Sequence, residues 1–93
     1  MRELPLRLPA AVQAAIRAMH PDLRRRVRAA LDGIRAAPDR AKPLTGELEG
    51  WRTVRVGPVR IIYRRAPATI DVAAIGPRTS IYVETARLLR RKR

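Results

Sequence analysis

The stretch from Gly50 to Tyr63, GWRTVRVGPVRIIY, constrains this chain more than any other. Two runs of strand-forming residues flank Gly57-Pro58, a pair that cannot continue a strand and that suits a tight reversal, so the segment reads as a β-hairpin. Alternation puts Val54 and Val56 on one face and Trp51, Thr53 and Arg55 on the other. In the second run Arg60 stands among Val59, Ile61, Ile62 and Tyr63, a sequence apolar enough for a central strand. A guanidinium there needs a partner, because burying an unpaired charge costs several kcal/mol. Asp71, on the next strand, is an internal candidate; a bound phosphate is the external one.

Around this hairpin the hydrophobic period changes three times. Arg2 to Leu8 alternates through Leu4, Leu6 and Leu8 like a half-buried strand, and Pro5 restricts it to a sheet edge. From Pro9 to Met19 the apolar positions Val12, Ile16 and Met19 are four and three apart, which predicts an amphipathic helix. His20-Pro21 ends that helix, since a residue before proline avoids the α region. Pro21 and Asp22 then open a second helix with the stripe Leu23, Val27, Leu31 and Ile34, and Ala37-Pro38-Asp39 stops it. Arg40 to Glu49 reads as a loop. Strands are expected at Trp51 to Val56, Val59 to Arg64 and Thr69 to Ile75, and a last helix starts near Thr79 or Ser80 and runs through Leu89.

The expected fold is α+β, with one domain over residues 1–93. An antiparallel, twisted sheet of about four strands carries an N-terminal helical hairpin on one face and is followed by a short C-terminal helix, leaving the second face open. Ninety-three residues bury roughly 60–65% of the surface of the unfolded chain, enough for one core. The chain has no cysteine, which excludes disulfides and thiolate metal sites. A metal or cofactor site has no support in the sequence. No apolar run has the length of a signal peptide or of a membrane span, so a cytoplasmic protein is expected.

Twenty-one Lys and Arg against eight Asp and Glu give a formal charge of +13. An excess of that size implies a polyanionic partner, nucleic acid or an acidic protein. Most of the charge is arginine, whose planar fork suits phosphate. Arg78 follows the third strand directly, and Tyr82 comes four residues later, on the same side of the last helix's first turn, so the two can converge on one point. Their structural alternative is a cap and a cover for the core edge. His20, the lone histidine, reads as a helix cap, and Trp51 either stacks on a base or covers core.

Taken together, L-x-G-x-L-x-G-W-R-x-x-R-V-G-x-x-R-I-I-Y followed by V-A-A-I-G-P-R-T-S-I-Y resembles the RelE/ParE superfamily of type II toxins, most of all its RelE branch. The resemblance covers about Lys42 to Leu89. It implies ribosome-dependent, metal-free endonucleolytic cleavage of mRNA in the A site, by attack of a ribose 2′-OH on the adjacent phosphate. It further implies a cognate antitoxin. Residue by residue, Arg60 and Arg78 would hold the scissile phosphate, Arg55 would lie near the 2′-OH, and Tyr82 would orient the nucleotide or assist proton transfer. Arg52, Trp51, Lys42 and Arg64 are the candidate RNA contacts. Many members carry a basic residue where this chain has Thr53; Arg52 sits one position off, and a bulge in its strand would return it to the site. The alternatives are a ParE-like inhibitor of DNA gyrase and a non-catalytic, basic RNA-binding protein.

Overall fold

Apolar stripes and proline punctuation produce most of the elements in the structure, a computed structural model that describes residues 3–91. In chain order these are β1 (Leu6–Arg7), α1 (Ala10–Ala18), α2 (Pro21–Ala36), β2 (Lys42–Pro43), a 3₁₀ turn (Gly46–Leu48), β3 (Arg52–Val56), β4 (Val59–Arg65), β5 (Ile70–Pro77) and α3 (Ile81–Arg91). The sheet order is β1-β5-β4-β3-β2. β1 runs parallel to β5, and the remaining pairs are antiparallel.

His20 caps α2 as its sequence position suggests: Nδ1 accepts the Asp22 N–H at 3.3 Å, and Pro21 occupies the first turn, where no N–H is needed. The stripe this creates, Val27, Leu31 and Ile34, joins Val12 and Ile16 of α1 over Val56, Ile61, Tyr63, Ile70 and Val72 of the sheet. Each of these side chains contributes about 1.5–3 kcal/mol when fully buried. Tyr63 is wholly enclosed, and its hydroxyl donates to the Pro38 carbonyl at 2.5 Å, tying β4 to the chain that leaves α2.

Several expectations need correction. The sheet has five strands, because the segment expected to be a loop supplies β2. A strand of two residues has no periodicity to detect. The N-terminal strand is shorter than its alternation suggests, although the Pro5 carbonyl still accepts the Ile70 N–H at 2.9 Å, as an edge allows. Arg2, Lys92 and Arg93 lie outside the described residues. Most importantly, the second face is not open along its length. Leu48, Trp51, Ile62, Ile81 and Ala86 form a second core there, with Tyr82 and Leu89 packed against it, so α3 covers the middle of that face. Its own apolar stripe requires this burial.

Candidate functional site

The β3–β4 turn fixes which side chains can meet. Gly57 has φ of 56° and is followed by Pro58, whose ring holds φ near −65°; this combination matches a two-residue hairpin turn with glycine first. The turn sets the register: Val56 faces Val59, Arg55 faces Arg60, Val54 faces Ile61, Thr53 faces Ile62 and Arg52 faces Tyr63. Directly opposed residues share a face. Val54, Val56, Val59, Ile61 and Tyr63 therefore point to the helical hairpin, while Arg55, Arg60, Thr53 and Ile62 point to the side of α3.

Arg60 also lies opposite Gly76 of β5. The missing side chain lets α3 approach: a Cβ on Gly76 would stand 3.7 Å from Ile81 Cδ1. The first residue of α3 is thus seated next to the strand position that faces Arg60. The intervening turn carries Arg78, and Tyr82 follows in the first turn of the helix. Arg78 lies before the helix, so helical spacing does not bring it to Tyr82; it follows Pro77, which faces Val59 beside the hairpin turn, while Tyr82 packs against the second core.

The arrangement is electrostatically unfavourable as it stands. Like charges directly across two strands repel, and Arg55 and Arg60 are such a pair. Arg55 is exposed, with Nε 3.4 Å from the Gly57 carbonyl. Arg60 is half-buried, and its Nε is cut off from solvent without a hydrogen-bond acceptor. Among the described residues no carboxylate answers it. Among the described residues the ion pairs of arginine join Asp22 to Arg25, Asp71 to Arg64 at 4.0 Å, Asp39 to Arg65 at 3.4 Å, and Glu47 to Arg90. Asp71, the internal candidate for Arg60, faces Arg64 in the register and accepts from the Thr69 hydroxyl at 2.8 Å. Four strand residues, roughly 13 Å, separate that row from Arg60.

The candidate RNA contacts divide. Lys42 faces Thr53 and is exposed on the Arg55–Arg60 side. Arg52 is not part of that side. β3 and β4 pair without a shift, and the one bulge in the hairpin's surroundings lies between β4 and β5 at Ile62/Tyr63, so strict alternation holds for Arg52. It shares a face with Tyr63 and donates from Nη1 to the Ala41 carbonyl at 2.7 Å. Trp51 and Arg64 sit at the far end of the sheet from the arginine pair. Trp51 is core, 8% exposed, and the Arg64 guanidinium already lies 4.6 Å above its ring, where a base would have stacked.

One residue escaped the sequence reading. Arg26 of α2 brings its guanidinium against the hairpin turn, so that a Cβ on Gly57 would meet Nη1 at 3.0 Å. It adds charge at the site end of the sheet, although the run Arg24 to Arg28 looks like a solvated face. Nothing local signals this contact, which depends on how the helix crosses the sheet. Elsewhere burial pushes the Tyr63 phenol above its ordinary pKa, with nearby Arg52 pulling the other way. Among the described residues no cluster of His, Cys, Asp and Glu could hold a metal.

A family model described as the ParE toxin of type II toxin-antitoxin systems, parDE, matches residues 10–82. The chain belongs to this toxin family. The match runs from the start of α1 to Tyr82, so the arginine pair, Arg78 and Tyr82 all fall within the part of this ParE-family toxin that defines its membership. Solved structures show the same fold in RelE proteins. The toxin-antitoxin complex RelBE2 of Mycobacterium tuberculosis is similar with a TM-score of 0.71 and 23% identity, over 83% of this chain and 100% of that one. A mutant of the Escherichia coli toxin RelE in the free state gives 0.76 and 16%, over 96% of this chain and 98% of that one. The isolated E. coli RelE toxin gives 0.70 and 16%, over 92% and 98%. No curated protein matches in a sequence search. The toxin is therefore a member of the RelE/ParE superfamily with the expected α+β fold.

Proposed function

We propose that this toxin is a RelE-like mRNA interferase that cuts mRNA in the ribosomal A site through attack of a ribose 2′-OH on the adjacent phosphate. The observation that carries the reading is the opposed pair Arg55 and Arg60, with Arg60 Nε shielded and lacking an acceptor. A phosphodiester relieves both costs at once, by neutralising the repulsion and by accepting the orphaned N–H. Arg60 and Arg78 hold the non-bridging oxygens as negative charge grows on them. Arg55 lies toward the 2′-OH, and Tyr82 at the start of α3 positions the nucleotide. Preorganised donors of this kind need no reorganisation during the reaction, and losing one typically costs about 10²–10³ in kcat. The guanidinium groups take the charge that a metal ion would otherwise take, so the reaction as read is metal-free.

The partners follow from the same chemistry. Ribosomal RNA and mRNA supply the polyanion that a +13 chain attracts. An acidic antitoxin that folds as it binds would mask the arginine face in a cytoplasmic complex. Among the described residues no helix is long and apolar enough to cross a membrane. Primer extension on mRNA incubated with ribosomes and toxin tests the activity: new 5′ ends are expected in the presence of ribosomes, and unchanged ends would remove the reading.

A second reading is favoured by the family match, whose description is that of ParE. In that case the toxin inhibits DNA gyrase and the arginine face binds without cutting. A supercoiling assay separates the two, since an interferase leaves gyrase active.

A further inference from the structure

The cations of the site extend past the hairpin. β2 is antiparallel to β3, with Lys42 opposite Thr53 and Pro43 opposite Arg52. Opposed residues share a face, which puts Lys42 on the side of Arg55 and Arg60. Its neighbours agree: Ala41 packs with the core of the helical hairpin, whereas Leu44 packs with the core under α3. The strand end is held by the Leu44 N–H, 2.9 Å from the Trp51 carbonyl. In the same row Thr53 and Ile62 are sealed, at 4% and 0% exposure, so Lys42 is the exposed, charged member of the row. It stands diagonally from Arg55, a relation that separates residues by roughly 7–8 Å and leaves long side chains within reach of one another.

Breaking the P–O5′ bond leaves an alkoxide that needs a proton. Arginine holds its proton at neutral pH, and a lysine ammonium gives one up more readily. Several other titratable side chains are engaged elsewhere, and the reading above gives Tyr82 to positioning the nucleotide. Asp22, Asp39, Asp71 and Glu47 pair with Arg25, Arg65, Arg64 and Arg90, and His20 caps α2. We infer that Lys42 reaches the site from the edge strand and donates its proton to the departing 5′-oxygen. The inference rests on the interferase reading above. In this step the 2′-oxygen bonds to phosphorus and its proton passes to water. The P–O5′ electron pair leaves with the 5′-oxygen, which takes the ammonium proton. Lys42 then regains a proton from water, and the products are a 2′,3′-cyclic phosphate and a 5′-OH.

The test compares wild type, Lys42→Ala and Lys42→Arg on ribosomes programmed with two mRNAs, one ordinary and one with sulfur replacing the bridging 5′-oxygen at the cut. A thiolate leaves without being protonated. Lys42→Ala is expected to slow cutting of the oxygen mRNA by about 10²–10⁴, to cut the sulfur mRNA near the wild-type rate, and not to be rescued by Lys42→Arg. Equal losses on both mRNAs, rescue by arginine, or full activity of Lys42→Ala would each overturn the proposal while leaving the interferase reading in place. A wild-type protein that cuts neither mRNA would remove the interferase reading, and the role of Lys42 with it.

Discussion

If Arg60 is kept for an anion, replacing it should make the free protein more stable. The substitution to examine is Arg60→Met, which keeps a long, flexible, unbranched side chain able to fill the space of the aliphatic stem. Two costs disappear. A buried donor without an acceptor costs about 1–3 kcal/mol, and Arg60 Nε is such a donor. Like charges directly opposed across two strands cost roughly 0.2–1 kcal/mol, and Arg55 faces Arg60. With some packing lost, the expected net gain is about 1–3 kcal/mol, and each kcal/mol raises Tm by about 4–8 °C in a domain of this size. Urea and thermal unfolding in a buffer free of phosphate and sulfate measure the effect. Adding inorganic phosphate should raise the Tm of wild type and leave Arg60→Met where it was, because only the arginine pair gains a partner. A lower Tm for Arg60→Met in the anion-free buffer would refute the reasoning, since it would mean that Arg60 already has its partner within the fold.

Further consequences can be checked alongside. Arg78→Ala should reduce cutting by about 10²–10³ in kcat, whereas Arg52→Ala, on the face of the helical hairpin, should leave the cutting rate unchanged; the reverse order would mean that the faces are wrongly assigned. Tyr63→Phe removes the hydroxyl that satisfies the Pro38 carbonyl and should lower stability by about 1–3 kcal/mol in urea melts. The raised pKa of Tyr63 makes its neutral form the stabilising one: the contribution is complete below about pH 10 and is lost as pH rises through the folded-state value, so wild type should weaken in alkali more steeply than Tyr63→Phe. Gly57→Ala places a side chain at a positive φ and against Arg26, and a loss of about 1–3 kcal/mol is expected.

Both helices of the N-terminal pair and the three long strands are legible in the sequence because each has a period and a stop: the stripe of α2 lies between Pro21 and Pro38, and the hairpin turns at Gly57-Pro58. The face of Arg55 follows from alternation alone, whereas the bulge that would have returned Arg52 to that face is excluded only by the unshifted register of β3 with β4. Three features were beyond such reasoning. β2 is too short to have a period and exists only as a partner of β3. The site is confined to one end of the sheet because α3 lies across Ile62, a consequence of tertiary packing that leaves α3's own pattern unchanged. Arg64 and Trp51 look like RNA contacts when taken singly; only the register shows that they satisfy Asp71 and each other away from the arginine pair.

The central claim is that the Arg55–Arg60 face acts on a phosphodiester. Its most direct test is the chemistry of the ends made when the toxin meets translating ribosomes. Wild type is predicted to leave a 2′,3′-cyclic phosphate on the upstream fragment and a 5′-OH on the downstream one, and folded Arg60→Ala to leave the mRNA whole. Intact mRNA with wild type, or cuts that persist unchanged in Arg60→Ala, would contradict the account.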